Sequence, residues 1–336
     1  MRHRVLVVLS VLTLSLLLPA AAVGARSAEA AAKAEQNRII AYWTPARIAS
    51  AQPRDYVRND AGKLIPYAKP GGSGGTGSSW TGNEPVELRV GRILFSSGGS
   101  NWICSGTVVD DAASNNGYSI ILTVGHCVFD GSDGWSYNFL FMPDFDDDPN
   151  YDCAARARGC WTANRLGIHT NFHPSGFGPD AALRVDYGFA RVGAGNKGGQ
   201  LDAEVGGYGI TTATIVNADV QWAFGFPAEG RYKGKDLIYC TGGTTPDPNL
   251  SGVYGMNCNM NGGSSGGGWL LGAANPSGDE NRFLSSVNSY GYSGLAKMFG
   301  PKFTTQTIEV MNSVIGTSET ANTENCNVGT TPPSGC

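Results

Sequence analysis

The feature that most constrains this chain is a series of short apolar runs separated by glycine, asparagine and aspartate, which begins at Leu88. Glycine is abundant, at 48 of 336 residues, and charged residues make up only 15% of the chain. Runs of this length are typical of strands, and the residues between them are typical of tight turns. The pattern therefore predicts an antiparallel β-barrel or sandwich. The predicted strands are 89–95, 103–109, 118–123, 139–142, 186–192, 220–226, 237–241, 268–271 and 283–287.

One helix is predicted near the end of the chain. Ile308, Met311 and Ile315 have the spacing that places side chains on one helical face, and Thr304 or Thr305 can cap the N-terminus. The residues beyond it, 317–336, are polar. We expect them to form a flexible tail that is tied only by its own two cysteines.

The first 25 residues have the composition of a signal peptide. A short basic head, 1–4, precedes an almost wholly apolar run, 5–23, and small residues suitable for cleavage follow at 23–25 and 28–30. The alternative is a membrane anchor, because the run approaches the length that spans a bilayer. Export predicts a secreted, extracellular protein, and no later stretch is apolar enough to cross a membrane.

Residues 26–83 differ from the rest in composition. An alanine-rich start leads into a Gly/Ser-rich stretch at 70–79 that is typical of a linker. We interpret the whole as a pro-segment with its linker, removed up to roughly residue 80. A tether that stays attached is the alternative. The main domain is then 84–316.

Eight cysteines in an exported chain indicate four disulfides. Eight cysteines allow about 105 pairings. Proximity in the sequence favours four of the possible bonds. These are Cys104 with Cys127, Cys153 with Cys160, Cys240 with Cys258, and Cys326 with Cys336.

Charge and ligand patterns narrow the possible partners. The net charge is −4 and no basic cluster follows the first segment, so nucleic acid and anionic membranes are not expected partners. We expect no metal and no cofactor. The cysteines lack paired C-x-x-C spacing, and the acidic run 144–148 fits a solvated loop better than a calcium site. His169 and His173 lack the intervening glutamate of a zinc motif and are expected at the surface.

Three side chains could form a nucleophilic triad. Ser265 lies among glycines in 263–267, and a serine hydroxyl needs an adjacent base before it can attack. His126 follows an apolar strand and could be that base, and Asp186 could orient it. A functionless glycine–serine turn is the alternative. The segment also fits G-x-S-x-G, but that elbow needs a histidine after the serine. All four histidines, at positions 3, 126, 169 and 173, come before it.

The order His126, Asp186, Ser265 resembles that of secreted bacterial trypsin-like serine peptidases, and the segment 186–190, Asp-Tyr-Gly-Phe-Ala, resembles their V8-like (glutamyl endopeptidase-like) branch. The resemblance covers about 84–316. It implies an all-β fold of two six-stranded antiparallel β-barrels with a short C-terminal helix, and a Cys104–Cys127 bond beside the histidine. It also implies an oxyanion hole formed by the amides of Gly263 and Ser265.

The chain departs from that family at the specificity pocket. The resemblance places Asn259, Met260 and the strand Ser289-Tyr290-Gly291 there as substrate-binding residues. Ser264 stands where trypsin-type enzymes have the aspartate that pairs with a new N-terminus, so that activation switch is not expected. In the pocket, Asn259 stands where a trypsin-type acid would lie, and the histidine that glutamate-specific members carry shortly before Ser289 is missing, since no histidine follows His173. We therefore expect a neutral pocket, although Asp279 and Glu280 could favour basic side chains.

Taken together, these residues predict a monomeric, secreted serine endopeptidase that hydrolyses proteins or peptides through an acyl-enzyme. The alternative is a catalytically silent homologue that binds protein ligands. An intact His126, Asp186 and Ser265 favour the enzyme.

Overall fold

The computed structural model describes residues 20–59, 61–66, 77–82, 85–113, 115–172, 180–272, 282–316 and 320–328, with only the backbone described for 20–25, 64 and 66. The predicted signal peptide therefore lies mostly outside the described residues.

Most of the described elements are short strands. The helices are α1 (Ala20–Tyr42), α2 (Pro45–Ser50), α3 (Val86–Arg89), α4 (Gly125–Val128), α5 (Asp180–Leu183), α6 (Leu201–Val205) and α7 (Thr305–Ile315). The strands before residue 200 are β1 (Gln52–Pro53), β2 (Tyr56–Arg58), β3 (Leu64–Pro66), β4 (Ser78–Ser79), β5 (Val90–Ser97), β6 (Ser100–Val109), β7 (Ser119–Thr123), β8 (Phe129–Asp130), β9 (Gly134–Trp135), β10 (Tyr137–Pro143), β11 (Trp161–His169) and β12 (Gly188–Val192). The later strands are β13 (Gly209–Ile210), β14 (Val220–Gly225), β15 (Ile238–Gly243), β16 (Thr245–Pro246), β17 (Val253–Asn257), β18 (Gly268–Leu271), β19 (Phe283–Val287), β20 (Tyr290–Tyr292), β21 (Lys297–Pro301) and β22 (Thr323–Asn327).

The first half of the domain is a closed barrel. In the described part of the chain its six strands follow the order β6-β5-β10-β11-β12-β7, and β7 pairs with β6 to close the ring. The pairings within the ring are antiparallel. Strand interiors such as Ile93, Ile121 and Phe141 are fully buried, so burial of apolar side chains stabilises this barrel.

The second half contains two further sheets. One has the order β13-β19-β18-β14-β15-β4, and the other has the order β16-β17-β21-β20-β2-β3. A disulfide from Cys240 in β15 to Cys258, the residue after β17, links them. Every strand predicted from sequence is present. The sequence analysis missed β11, in which Asn164 is exposed and Arg165 is half-buried.

The leader, defined here as residues 26–66, is folded against the body. Ile39 and Trp43 of its helical part are buried in the main core. The indole Nε1 of Trp43 donates to the carbonyl of Asn138 at 2.8 Å, and the amide of Gln36 donates to the carbonyl of Ala194 at 2.7 Å. These contacts attach the leader to the first barrel.

The C-terminal helix is confirmed, and its fully buried residues lie beside the predicted apolar face. The buried residues of α7 are Thr307, Val310, Ser313 and Val314. Ile308, Met311 and Ile315 are half-buried beside them. The helix is capped by Thr304, which forms a capping box with Thr307. Part of the polar tail is also ordered, because β22 pairs with β11 and opposes Cys326 to Leu166.

Three of the predicted disulfides are confirmed, namely Cys104–Cys127, Cys153–Cys160 and Cys240–Cys258. Cys326 is disulfide-bonded as well, and its predicted partner Cys336 lies outside the described residues. Within the described ranges, no helix is both long and apolar enough to cross a membrane.

Candidate active site

His126 and Asp186 form a buried pair between the two halves of the domain. The imidazole Nδ1 lies 2.9 Å from Asp186 Oδ2, and the backbone N–H of His126 donates to Oδ1 at 2.9 Å. Both side chains are at most 1% exposed. The one-turn helix α4 directs both groups of His126 at the same carboxylate. This geometry fixes the orientation of the ring and favours the tautomer that carries its hydrogen on Nδ1.

A third donor stabilises the carboxylate. Ser289 Oγ, on the segment predicted to bind substrate, donates to Asp186 Oδ2. Three hydrogen bonds to one ionised carboxylate lower the free energy of burying its charge. The side chain of Ser289 therefore supports the pair, and its backbone N–H already donates to the carbonyl of Phe299 at 2.9 Å.

Ser265 lies on a loop whose backbone only glycine can follow. Gly266 has a φ of +86°, and a Cβ there would lie 2.1 Å from Thr123 Oγ1 and 2.4 Å from the carbonyl oxygen of Ser105. The loop therefore needs glycine both for its torsion and for its close approach to the first barrel. The carbonyl of Ser265 also accepts from the N–H of Ser105 at 2.8 Å.

The two amides predicted for the oxyanion hole belong to peptide groups whose carbonyl oxygens are fixed by hydrogen bonds. The carbonyl of Gly262 accepts from Ala228 N–H at 2.7 Å, and the carbonyl of Ser264 accepts from Asn288 Nδ2 at 3.0 Å. In a trans peptide the N–H points opposite to the carbonyl. The Gly263 and Ser265 amides are thus directed away from these anchors.

Two residues that the sequence analysis missed hold this loop. Asn288 is fully buried, donates to the carbonyls of Ser264 and Phe224, and accepts from Trp269 Nε1 at 2.8 Å. Arg92 is also fully buried and donates to the carbonyl of Gly263 at 3.2 Å. Burial lowers the pKa of the Arg92 guanidinium. An arginine inside an apolar strand was the available sequence signal for this role.

Leader residues cover the pair and the serine. Ser265 Oγ donates to Asp55 Oδ1 at 2.7 Å, and His126 Nε2 lies 3.0 Å from the carbonyl oxygen of Arg54. A carbonyl can only accept, so Nε2 must carry a proton in this contact. Both ring nitrogens of His126 therefore face hydrogen-bond acceptors, namely Asp186 Oδ2 and the carbonyl oxygen of Arg54. Burial raises the pKa of Asp55 to about 7, opposed by the nearby His126 and by the bond from Ser265.

Four of the five residues predicted for the specificity pocket lie together. Asn259, Met260, Tyr290 and Gly291 line one small cavity of about 10 Å³, which Asp55 and Val57 of the leader also line, whereas Ser289 is not among its lining residues. Lys297 also borders it, and its ammonium donates to Thr245 Oγ1 at 3.3 Å. The carboxamide oxygen of Asn259 accepts from Tyr232 Oη at 2.7 Å and from Gly77 N–H at 2.9 Å. Asp279 and Glu280 lie outside the described residues.

The surface position expected for His169 is wrong. It is 1% exposed at the end of β11, where its Nδ1 accepts from the N–H of Asn171, and burial lowers its pKa. His173 is outside the described residues. In the acidic run, Asp144 pairs with Arg158, and Asp146 accepts from the N–H of Leu237. Among the described residues, no three His, Cys, Asp or Glu side chains are grouped to hold a metal ion.

No family model matches the sequence, and none of the curated proteins is significantly similar to it. Solved structures are similar. Protease Anisep from Arthrobacter nicotinovorans is 32% identical with a TM-score of 0.57, over 72% of this chain and 98% of that one. Thermostable serine protease AL20, from an extremophilic microorganism, is 29% identical with a TM-score of 0.56, over 70% of this chain and 100% of that one. A Glu endopeptidase, 21% identical with a TM-score of 0.51 over 73% of this chain and 98% of that one, shares the fold.

A relative that is 32% identical over almost its whole length shows the family. The chain belongs to the bacterial serine proteases of the chymotrypsin fold, as the resemblance of its motifs predicted.

Proposed function

We propose that the chain is a secreted serine endopeptidase that acts through an acyl-enzyme, with Ser265 as nucleophile, His126 as general base and Asp186 as the group that orients it. The 2.9 Å contact between His126 Nδ1 and Asp186 supports this most directly. Ser265 and His126 Nε2 meet adjacent leader residues, so both face the same point of the cleft. Membership of a serine protease family supplies protein as the substrate class.

In the proposed reaction, Ser265 Oγ attacks the scissile carbonyl carbon while its proton passes to His126 Nε2. The oxyanion accepts hydrogen bonds from the amides of Gly263 and Ser265. His126 then returns the proton to the leaving nitrogen, the C–N bond breaks and an ester remains. Water hydrolyses this ester by the same two proton transfers. Asp186 stays ionised and stabilises the imidazolium.

The proposed fold and maturation follow the same family. We take the two sheets of the second half as its second barrel, linked by Cys240–Cys258. Removal of the leader should end before Gly77 and not near residue 80, because β4 pairs with β15 and Trp80 packs on Trp222 and Phe224. The disulfides favour an oxidising, extracellular location.

The experiment that tests this function is hydrolysis of a denatured protein by the chain after its leader has been removed. Hydrolysis that stops on treatment with a fluorophosphonate is the expected result. Intact binding of the same protein without cleavage would favour the silent homologue instead.

Asn288→Ala should lower kcat by roughly 10–100-fold with little change in KM. The substitution removes the donor that fixes the Ser264–Ser265 peptide plane, and hence one oxyanion donor. Steady-state kinetics of the leader-free enzyme measure the effect. Asn257→Ala, at an exposed position, is the matched control. A changed KM with an unchanged kcat would show that Asn288 does not act on the transition state.

A peptide library should reveal preference for an uncharged side chain in the primary pocket. A buried substrate charge needs a partner. The pocket is lined by the neutral carboxamide of Asn259, which is already bonded to Tyr232. Cleavage profiles of the leader-free enzyme measure this preference. Strong selection for Arg, Lys or Glu would contradict it and would implicate Asp279, Glu280 or Lys297.

A further inference from the structure

The inhibitory segment, defined as Gln52–Arg58 of the leader, crosses the cleft between the two halves. At one end β1 pairs with β6 and aligns Pro53 with Ile103. At the other end β2 pairs with β20 and aligns Val57 with Gly291, which borders the specificity pocket. Both pairings are parallel. The segment therefore uses both walls of the cleft with a single chain direction.

The groups that this segment places at the reacting centre are the reverse of those the chemistry requires. His126 must deliver its proton to the nitrogen of the leaving amine, so a productive chain places an N–H beside Nε2. Here Nε2 faces the carbonyl oxygen of Arg54. Ser265 faces a side-chain carboxylate, that of Asp55, instead of a peptide carbonyl carbon. A side-chain carboxyl group is a poor electrophile and contains no peptide bond, so the contact offers no bond to cleave.

The two contacts, of Ser265 with Asp55 and of His126 with the Arg54 carbonyl, disable both reacting groups. A serine hydroxyl has one hydrogen, and while it is donated to Asp55 it is not available to His126. The imidazole meanwhile holds a proton on Nε2 and cannot accept another. Asp55 is 6% exposed and Val57 is 2% exposed. The segment thus blocks the site chemically and excludes solvent.

Ion pairs hold the segment on each side of Asp55. Arg54 pairs with Asp130, and Arg58 pairs with Asp180. The Arg54 guanidinium also lies over the ring of Trp102, 5.3 Å from its centroid. The positive charges of these two arginines match the carboxylates of Asp130 and Asp180 on the body. This complementarity fixes the register that brings Asp55 to Ser265.

We propose that residues 52–58 are a peptide inhibitor of the enzyme that binds its cleft in reverse, with Asp55 as the residue that engages Ser265. This second function rests on the proposed peptidase activity. It also implies that cutting the linker is not sufficient for activity, because the leader must leave the cleft as well.

The test compares the rates at which a fluorophosphonate labels four proteins: the full chain, its Asp55→Ala variant, its Glu29→Ala variant and the enzyme after leader removal. Mass spectrometry distinguishes uncut from cut chains. We expect the uncut chain to be labelled at least about 100-fold more slowly than the leader-free enzyme. Asp55→Ala should raise the labelling rate of the uncut chain at least about tenfold, since it removes the hydrogen bond that occupies the Ser265 hydroxyl. Glu29, an exposed leader carboxylate, is the matched control and should change nothing.

The outcomes separate the two proposals. If the leader-free enzyme is not labelled, the proposed function fails. If it is labelled but the uncut chain is labelled equally fast, the inhibitor is wrong and the peptidase stands. Slow labelling of both the uncut chain and its Asp55→Ala variant would assign the block to the rest of the leader.

A second measurement does not depend on folding of the Asp55→Ala chain. A synthetic peptide of residues 50–59 is added to the leader-free enzyme, in parallel with the same peptide carrying Asp55→Ala. The native peptide should inhibit at least about tenfold more strongly and remain uncut. Cleavage of the native peptide, or equal inhibition by both peptides, would overturn the proposal.

Acid should strengthen the latent state, defined here as the uncut chain with the inhibitory segment in its cleft. Asp55 is faced by His126, Ser265 and Glu229, with Asp186 behind the imidazole and the Arg54–Asp130 pair beside it. Its pKa is raised to about 7 in the cleft, above the ordinary pKa of an aspartate that is exposed to water. Between these two pKa values, the chain with the inhibitory segment in the cleft therefore binds more protons than the chain with an open cleft. The contact is therefore strongest at low pH and weakens as pH rises to about 7.

The measured quantity is the labelling rate of the uncut chain divided by that of the leader-free enzyme, which cancels the intrinsic pH dependence of the triad. This ratio should rise at least about tenfold between roughly pH 5 and pH 7. The rise should be smaller in Asp55→Asn. A ratio that falls with pH, or an unaltered rise in Asp55→Asn, would contradict the part assigned to Asp55.

Discussion

Replacing Ser265 with alanine is expected to lower peptide hydrolysis by the leader-free enzyme by about 10⁶-fold, because no other group can form the ester. The fold should remain intact. In the latent chain Ser265 is 1% exposed beneath the leader, and its hydroxyl bonds only to Asp55 among the contacts described. Steady-state kinetics and thermal unfolding measure the two effects.

Ser264→Ala is the matched control for this variant. Its hydroxyl has no hydrogen-bond partner among the described residues, and the carbonyl that anchors the loop is unchanged in alanine. Its hydrolytic activity should stay within about threefold of that of the native enzyme, since the substitution removes no hydrogen bond that holds the loop. Continued hydrolysis by Ser265→Ala, in a preparation free of other proteases, would show that the nucleophile is misassigned.

Asp186→Asn is expected to lower kcat by about 10⁴-fold. The carboxylate accepts from both the backbone and the ring of His126, and from Ser289. An amide has only one accepting atom, so its NH₂ group would face a donor and favour the wrong tautomer of the imidazole. Kinetics of the leader-free enzyme near neutral pH measure this loss.

The comparison with Ser289→Ala separates the effect of the charge of Asp186 from the effect of one hydrogen bond to it. That variant removes one bond to Asp186 Oδ2 but keeps the negative charge beside the imidazole. Its kcat should fall by no more than about tenfold. If Asp186→Asn retained more than a tenth of the activity, the role assigned to the carboxylate would be wrong.

Local patterns predicted most of the fold. The barrel strands were evident because their apolar runs are continuous and bounded by turn residues. Strand β11 was missed, since Asn164 and Arg165 interrupt its apolar pattern. The pairing of β22 was missed for another reason: it depends on backbone bonds to β11, which a polar sequence does not disclose. The buried face of α7 includes Thr307 and Ser313, whose polarity concealed it.

The site was predictable only where its residues carry their own motif. His126, Asp186 and Ser265 each lie in a recognisable segment, and the structure brings these segments together. Asn288 has no such signal, because its role arises from carbonyls it meets after folding. The contact of Ser265 with Asp55 joins residues 210 positions apart. Such encounters depend on the direction and register of paired strands, which composition alone does not determine.

The central claim is that Ser265 is a nucleophile activated by His126. Its most direct test is fluorophosphonate labelling of the leader-free enzyme, followed by peptide mapping, in the native protein and in His126→Ala. The account predicts a single adduct on Ser265 that forms far more slowly without His126. An adduct on another residue, no adduct at all, or equal labelling in His126→Ala would contradict it.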